Sequence, residues 1–268
     1  MKLIVMLLVV LWRQRRPPGA LAWPARWHPV MDDTGGALRW LPVAAVPAVL
    51  VALLLWLGGA WLWGSVGLVI GLAVLANCLG GTDWRPTLAA LAEDSGRGDL
   101  QGALHRLDDL ADHETAGEIQ DPAGLRAATR EKLALRFLRE WFAVLFWFAL
   151  LGAPGALAYR CLERVAATSA GAARLLAWLE WPALRAFGFV VVLSGHPGRG
   201  MGVWAESLLT GTNAARVAGA YVEAAFEPLP EGLTPEAGLA TQVRALDEIF
   251  RRAVLGWLVV AALLLVIF

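Results

Sequence analysis

Glu180 and Arg185 stand five residues apart, on either side of Pro182, in a stretch that otherwise reads as apolar (LEWPALRAFGFVVVLSGH). Charges in so oily a segment are costly to bury unless they pair, so they mark sites for ions or ligands. A helix made irregular at Pro182 would let the two meet, and a cavity-lining pair is the leading site expectation. Arg139 and Glu140 stand at the mouth of a second apolar run, 141–159, with Arg160 at its far end. Snorkelling to lipid headgroups explains Arg139 and Arg160; ligand contact is the alternative for both.

Other chemistry is thinly represented. The four histidines, His28, His105, His113 and His196, form no HExxH and no ligand pair beyond His105 and His113, eight apart, so no metal site is expected. There is no GxSxG and no Gly-Lys-Ser/Thr loop. Gly195 to Gly200 (GHPGRG) reads as a turn after a membrane helix, with Arg199 at the headgroups; the alternative is an anion cradle of backbone N–H groups. Cys78 and Cys161 have neither metal nor redox spacing and read as packing residues. No motif names a cofactor.

The elements that must position these residues are membrane helices. Residues 41–80 carry no charged side chain, enough for two crossings joined by a glycine-rich turn. Hydrophobic residues make up 58% of the chain and charged ones 17%, against about half and a quarter in soluble domains. Basic and acidic residues balance at 23 each, so net charge gives no ground for nucleic-acid binding. Apolar segments fall at 2–12, 41–62, 65–80, 141–159, 184–196 and 254–268. The first reads as an uncleaved short helix, because Arg13, Arg15 and Arg16 follow it where a signal peptide would carry them before. Arginine-rich loops at 13–40 and 81–140 both fall on the cytoplasmic side. Arg244, Arg251 and Arg252 put the approach to the last segment there too, so parity asks for a crossing at 184–196. Trp12, Trp40, Trp63, Trp141 and Trp181 near segment ends read as an interfacial belt.

The polar stretches read as helices. Asp99 is the expected N-cap of a helix with Leu100, Ala103, Leu104, Leu107 and Ala111 on one face. A third helix starts near Pro122 and runs into the membrane at Trp141. Further helices end before Pro228 and begin at Pro235. The plan is all-α, a polytopic membrane bundle of four to five crossings. Residues 1–40 form a short helix and basic cytoplasmic segment, 41–80 a transmembrane hairpin, and 81–140 a helical cytoplasmic domain. Residues 141–196 supply transmembrane helices, 197–252 a second helical cytoplasmic segment, and 253–268 the last crossing.

Glu140 to Glu163 (EWFAVLFWFALLGAPGALAYRCLE) and Leu179 to Arg185 (LEWPALR) resemble the AmpE family of bacterial inner-membrane proteins and the related CobD/CbiB family of cobalamin biosynthesis. Trp27-His28-Pro29-Val30 is similar to an early CobD His-Pro-Val, and Asn213-Ala214-Ala215 with Val217 to Ala220 to a CobD Asn-Ala…Ala-Gly stretch. CobD proteins carry acidic and amide residues just upstream of the first motif, where this chain has Leu135 to Arg139 (LRFLR), and their Gly-Arg-Asp element has no counterpart near Leu107-Asp108-Asp109. The resemblance therefore implies AmpE: a regulatory or sensory protein tied to β-lactamase induction and cell-wall recycling. Its implied partners are the bilayer, other cell-wall-recycling proteins and an anionic or nucleotide-like ligand. His28, Asn213, Glu180, Arg185, Arg139 and Arg160 are the expected ligand contacts. The alternative is a CobD-type enzyme joining an amino alcohol to a corrinoid carboxylate with ATP.

Overall fold

Long runs of Leu, Val and Ala without interrupting charge favour helix, the structure that satisfies its own backbone in lipid. The computed structural model describes residues 2–15, 40–58, 65–80, 85–110, 122–167, 169–209, 213–226 and 235–267, and among these there is no strand. The helices are α1 (Lys2–Arg15), α2 (Trp40–Gly58), α3 (Ser65–Cys78), α4 (Arg85–Gly96), α5 (Leu100–Leu110) and α6 (Pro122–Phe137). A π-turn (Leu138–Phe142) follows, then α7 (Ala143–Leu151), α8 (Ala153–Ala166), α9 (Ala170–Ser194), α10 (Pro197–Ser207), α11 (Ala214–Ala225) and α12 (Pro235–Ile267).

These helices form two compact units. The first contains residues 1–82, 139–183 and 258–268; the second contains 83–138 and 184–257. In the first unit α3 packs on α1, α2 and α8, and α8 packs on α2 and α7. Its surface is unusually oily. Leu8, Leu11, Val49, Leu50, Leu54, Trp56, Leu57, Val69, Leu151 and Trp178 are all exposed. So large an apolar surface marks contact with a hydrocarbon solvent. Among the described residues one helix, α9, is long and apolar enough to cross a membrane. Shorter apolar helices cover Lys2–Leu11, Leu41–Leu57 and Gly67–Cys78. The four to five crossings of the sequence reading thus reduce to one helix of full spanning length among these residues.

Two apolar segments differ from expectation. The run 141–159 does not form a single crossing. The chain reverses at Gly152, whose φ of 74° and ψ of −158° suit glycine. Gly155 then lies so close to α7 that a Cβ on it would stand 2.9 Å from the Trp147 carbonyl oxygen. In a straight helix residues eight apart are about 12 Å apart along the axis, so α7 and α8 form a helical hairpin. Lys2 ties down its tip, donating to the carbonyls of Ala149 (3.3 Å) and Leu150 (3.2 Å) at the C-terminus of α7. The short segment 184–196, in turn, is the second half of α9. The helix begins fourteen residues earlier, where Arg174 and Glu180 interrupt the apolar pattern.

In the second unit the expected cap holds: Asp99 Oδ1 accepts from the Gly102 N–H at 2.9 Å, and Ala103 and Leu107 are fully buried. Helix α6 packs on α11, so the two polar stretches, expected as separate cytoplasmic parts, build one core. Phe137 stacks on Phe250 at 4.2 Å and lies 6.1 Å from Phe187. Residues 197–207 form α10, with Pro197 in its first turn, where the sequence suggested a turn alone.

On the polar part of α12, Glu248 accepts from Arg252 Nε at 2.8 Å and Arg251 Nη2 at 2.5 Å. These bonds, Arg252's first, hold its carboxyl below the ordinary value of 4.5. Because the folded value is the lower one, the pairing stabilises the protein above the unfolded value and fades as pH falls through the folded one. The group is exposed, so the effect is small. Glu248→Gln is expected to flatten the dependence of Tm on pH below about 4.5 and to leave it nearly unchanged at neutral pH, as thermal unfolding at a series of pH values would show.

Candidate functional site

The first unit holds a charged cluster at the foot of the α7–α8 hairpin. The π-turn widens the helix just where Arg139 leaves it, a distortion that recurs at functional sites. Arg139 reaches α9 and grips Glu180 with two nitrogens, Nε to Oε1 at 2.6 Å and Nη2 to Oε2 at 3.2 Å. Glu180 is 3% exposed, Arg139 35%. On α8, the Tyr159 hydroxyl donates to Glu180 Oε1 at 3.4 Å. One residue on, Arg160 Nη1 donates to Glu163 Oε2 at 3.1 Å, and Arg164 Nε lies 3.7 Å from the same oxygen. The π-turn also leaves the Glu140 carbonyl to accept from the Gly80 N–H at 3.1 Å, fixing the end of α3 beside Trp141.

A second polar network lies in the second unit. Arg185 is buried and donates through Nη2 to the Ser207 carbonyl at 2.5 Å, while Trp204 Nε1 donates to the Arg185 carbonyl at 2.9 Å. Ser207 Oγ gives its proton to the Trp204 carbonyl, which makes the Tyr221 hydroxyl the donor in its contact with Ser207. Burial pushes the Tyr221 hydroxyl above its ordinary range, so it stays protonated as that role requires.

The sequence-derived residues therefore separate. Glu180 takes Arg139 as its partner, and Arg160 belongs to the same cluster. Arg185 anchors α9 to the end of α10. Asn213 caps α11, its side chain accepting from the Ala215 N–H at 2.9 Å. His28 lies outside the described residues. His196 Nδ1 stands 3.4 Å from the Ala225 carbonyl and Arg199 donates to that of Phe226, so the glycine-rich run docks on the end of α11. Sequence reasoning missed Tyr159 and Tyr221. The signal was rarity: the chain has two tyrosines, each fully buried against one of the two networks.

Comparison with known proteins identifies the scaffold that carries this cluster. The family model described as CobD/Cbib protein matches residues 19–170, which include the whole hairpin. The cobalamin biosynthesis protein CobD of Chromobacterium violaceum is 28% identical over 212 residues, covering 68% of this chain and 67% of that protein. No solved structure matches. These matches overturn the AmpE assignment and the β-lactamase-linked regulatory role drawn from it. The missing acidic and amide side chains at Leu135 to Arg139 had weighed against CobD, yet they are a few positions inside a match more than 150 residues long. The chain is a membrane protein that belongs to the CobD/CbiB family.

Proposed function

We propose that the chain performs the CobD-type step of cobalamin biosynthesis: the ATP-dependent joining of an amino alcohol to a corrinoid carboxylate, at the bacterial inner membrane. The observation that carries this reading is the family match over residues 19–170, seconded by the curated CobD relative. In such a reaction a carboxylate oxygen attacks the terminal phosphorus of ATP and ADP leaves. The amine nitrogen then attacks the acyl carbon, phosphate departs, and the surplus amine proton passes to a base. The anionic reactants call for fixed cations, and the acyl phosphate for shelter from water. The cluster of Arg139, Arg160, Arg164, Glu163 and Glu180 beside the apolar helix α7 supports both needs. Multi-pass insertion through α1 to α3, α9 and the apolar end of α12 is part of the same proposal.

Expression in a bacterium lacking its CobD/CbiB protein, under conditions that demand new cobalamin, is expected to restore growth. Persistent failure, with the protein abundant in the membrane fraction, would remove the reading.

A further inference from the structure

We infer that Arg139 and Arg160 form a subsite for a phosphate oxyanion, aimed by Glu180, Tyr159 and Glu163. Arg139 uses its Nε and Nη2 edge on Glu180, which leaves Nη1 out of that contact on a side chain still 35% accessible. Arg160 is more than nine-tenths buried and engages Glu163 through Nη1 alone among the described residues, so Nε and Nη2 remain for another acceptor. Arg139 and the Tyr159 hydroxyl meet on the same Glu180 oxygen, and Arg160 follows Tyr159 on α8, which brings the two arginines into one cluster.

Shape favours phosphate. Of the three guanidinium groups in the cluster, Arg139, Arg160 and Arg164, it is Arg160 that is withdrawn from water, and a buried guanidinium calls for acceptors on its remaining N–H groups. The remaining nitrogens of Arg139 and Arg160 carry at least three N–H donors. That suits the three oxygens of a terminal phosphate better than the two coplanar oxygens of a carboxylate. Two sources supply this chemistry: the phosphates of ATP, which rests on the CobD-type reading above, and a phospholipid headgroup, which does not. Glu180 and Tyr159 are positioning residues, since Glu180 is already committed to Arg139 and so fixes the plane of its guanidinium.

The test uses the full chain in a phosphate-free maltoside detergent. ATP and inorganic tripolyphosphate binding are titrated calorimetrically, and retained lipid is read by mass spectrometry. Arg139→Lys and Arg160→Lys keep the charge and lose the fork; each is expected to weaken ATP and tripolyphosphate at least tenfold. Tyr159→Phe is expected to weaken them several-fold, and Arg174→Gln, exposed on α9, to change neither. If Arg139→Lys does not fold, Arg160→Lys and Tyr159→Phe carry the comparison. Loss of a co-purified anionic phospholipid from the variants, with ATP binding unchanged, keeps the subsite and assigns it to a headgroup. Wild-type binding of both anions with wild-type lipid content in the lysine variants overturns the subsite, as does a wild type that binds neither anion and retains no anionic lipid. Growth rescue separates the two claims. A wild type that fails to rescue while its variants lose ATP binding sinks the CobD-type reading alone; rescue by variants with an unchanged KM for ATP and wild-type lipid content sinks the subsite alone.

Discussion

Arg139→Gln is expected to lower the stability of the protein by about 3 kcal/mol, the cost of leaving a buried carboxylate without its cation. The asymmetry of the pair decides the size. Glu180 is 3% exposed and cannot turn to water, whereas Arg139 is 35% exposed and can be rehydrated if its partner is lost. Glu180→Gln is therefore expected to cost less, roughly 1 to 2 kcal/mol, because it removes a charge from the interior and keeps a hydrogen-bonding side chain. The double variant Arg139→Gln, Glu180→Gln is expected to recover more than half of the loss from Arg139→Gln. Thermal unfolding of the four proteins in detergent gives the coupling energy directly. Equal costs for the two single variants would show that the bidentate contact does not hold the π-turn against α9. This measurement is independent of ligand binding.

The same pair shows where sequence patterns carry structural information and where they stop. Helices were legible where a local rule applied: the Asp99 cap, the burial of Ala103 and Leu107 on α5, the start of α6 at Pro122, the start of α12 at Pro235. Arg139 and Glu180 are 41 residues apart and meet because a hairpin intervenes, a fact no spacing rule contains. The first half of α9 was hidden because Arg174 and Glu180 lower its hydropathy, although one of them is paired and buried. Conversely, Glu180 and Arg185 looked like partners because they are near in sequence, yet each bonds to a different part of the fold. The family motif was legible in Glu140 to Glu163; its function was misjudged by giving weight to a few upstream positions over the whole match.

The hairpin itself yields the second large effect: Gly152→Val is expected to cost 3 kcal/mol or about that, and to reduce the yield of folded protein in the membrane fraction. At φ 74° and ψ −158° the backbone occupies a region that side-chain-bearing residues enter only under strain, and a β-branched residue worst of all. The apolar run 141–159 also offers a ready alternative. With Gly152 replaced, the sequence can continue as one helix, and the reversal that sets Tyr159 and Arg160 near Arg139 is lost. Two comparisons distinguish loss of the turn from general damage. Gly155→Val puts a Cβ 2.5 Å from that of Leu151 and 2.9 Å from the Trp147 carbonyl, so it opposes the close approach of α7 and α8 while leaving the turn residue intact. It is expected to destabilise by about 1 to 3 kcal/mol. Lys2→Met removes only the side chain that caps the α7 carbonyls and is expected to cost under about 1 kcal/mol. A cysteine pair placed across α7 and α8 should crosslink in the wild type and in Lys2→Met, and fail to do so in Gly152→Val. Undiminished crosslinking in Gly152→Val would mean that the hairpin is held by helix packing alone, with no requirement for glycine at its turn.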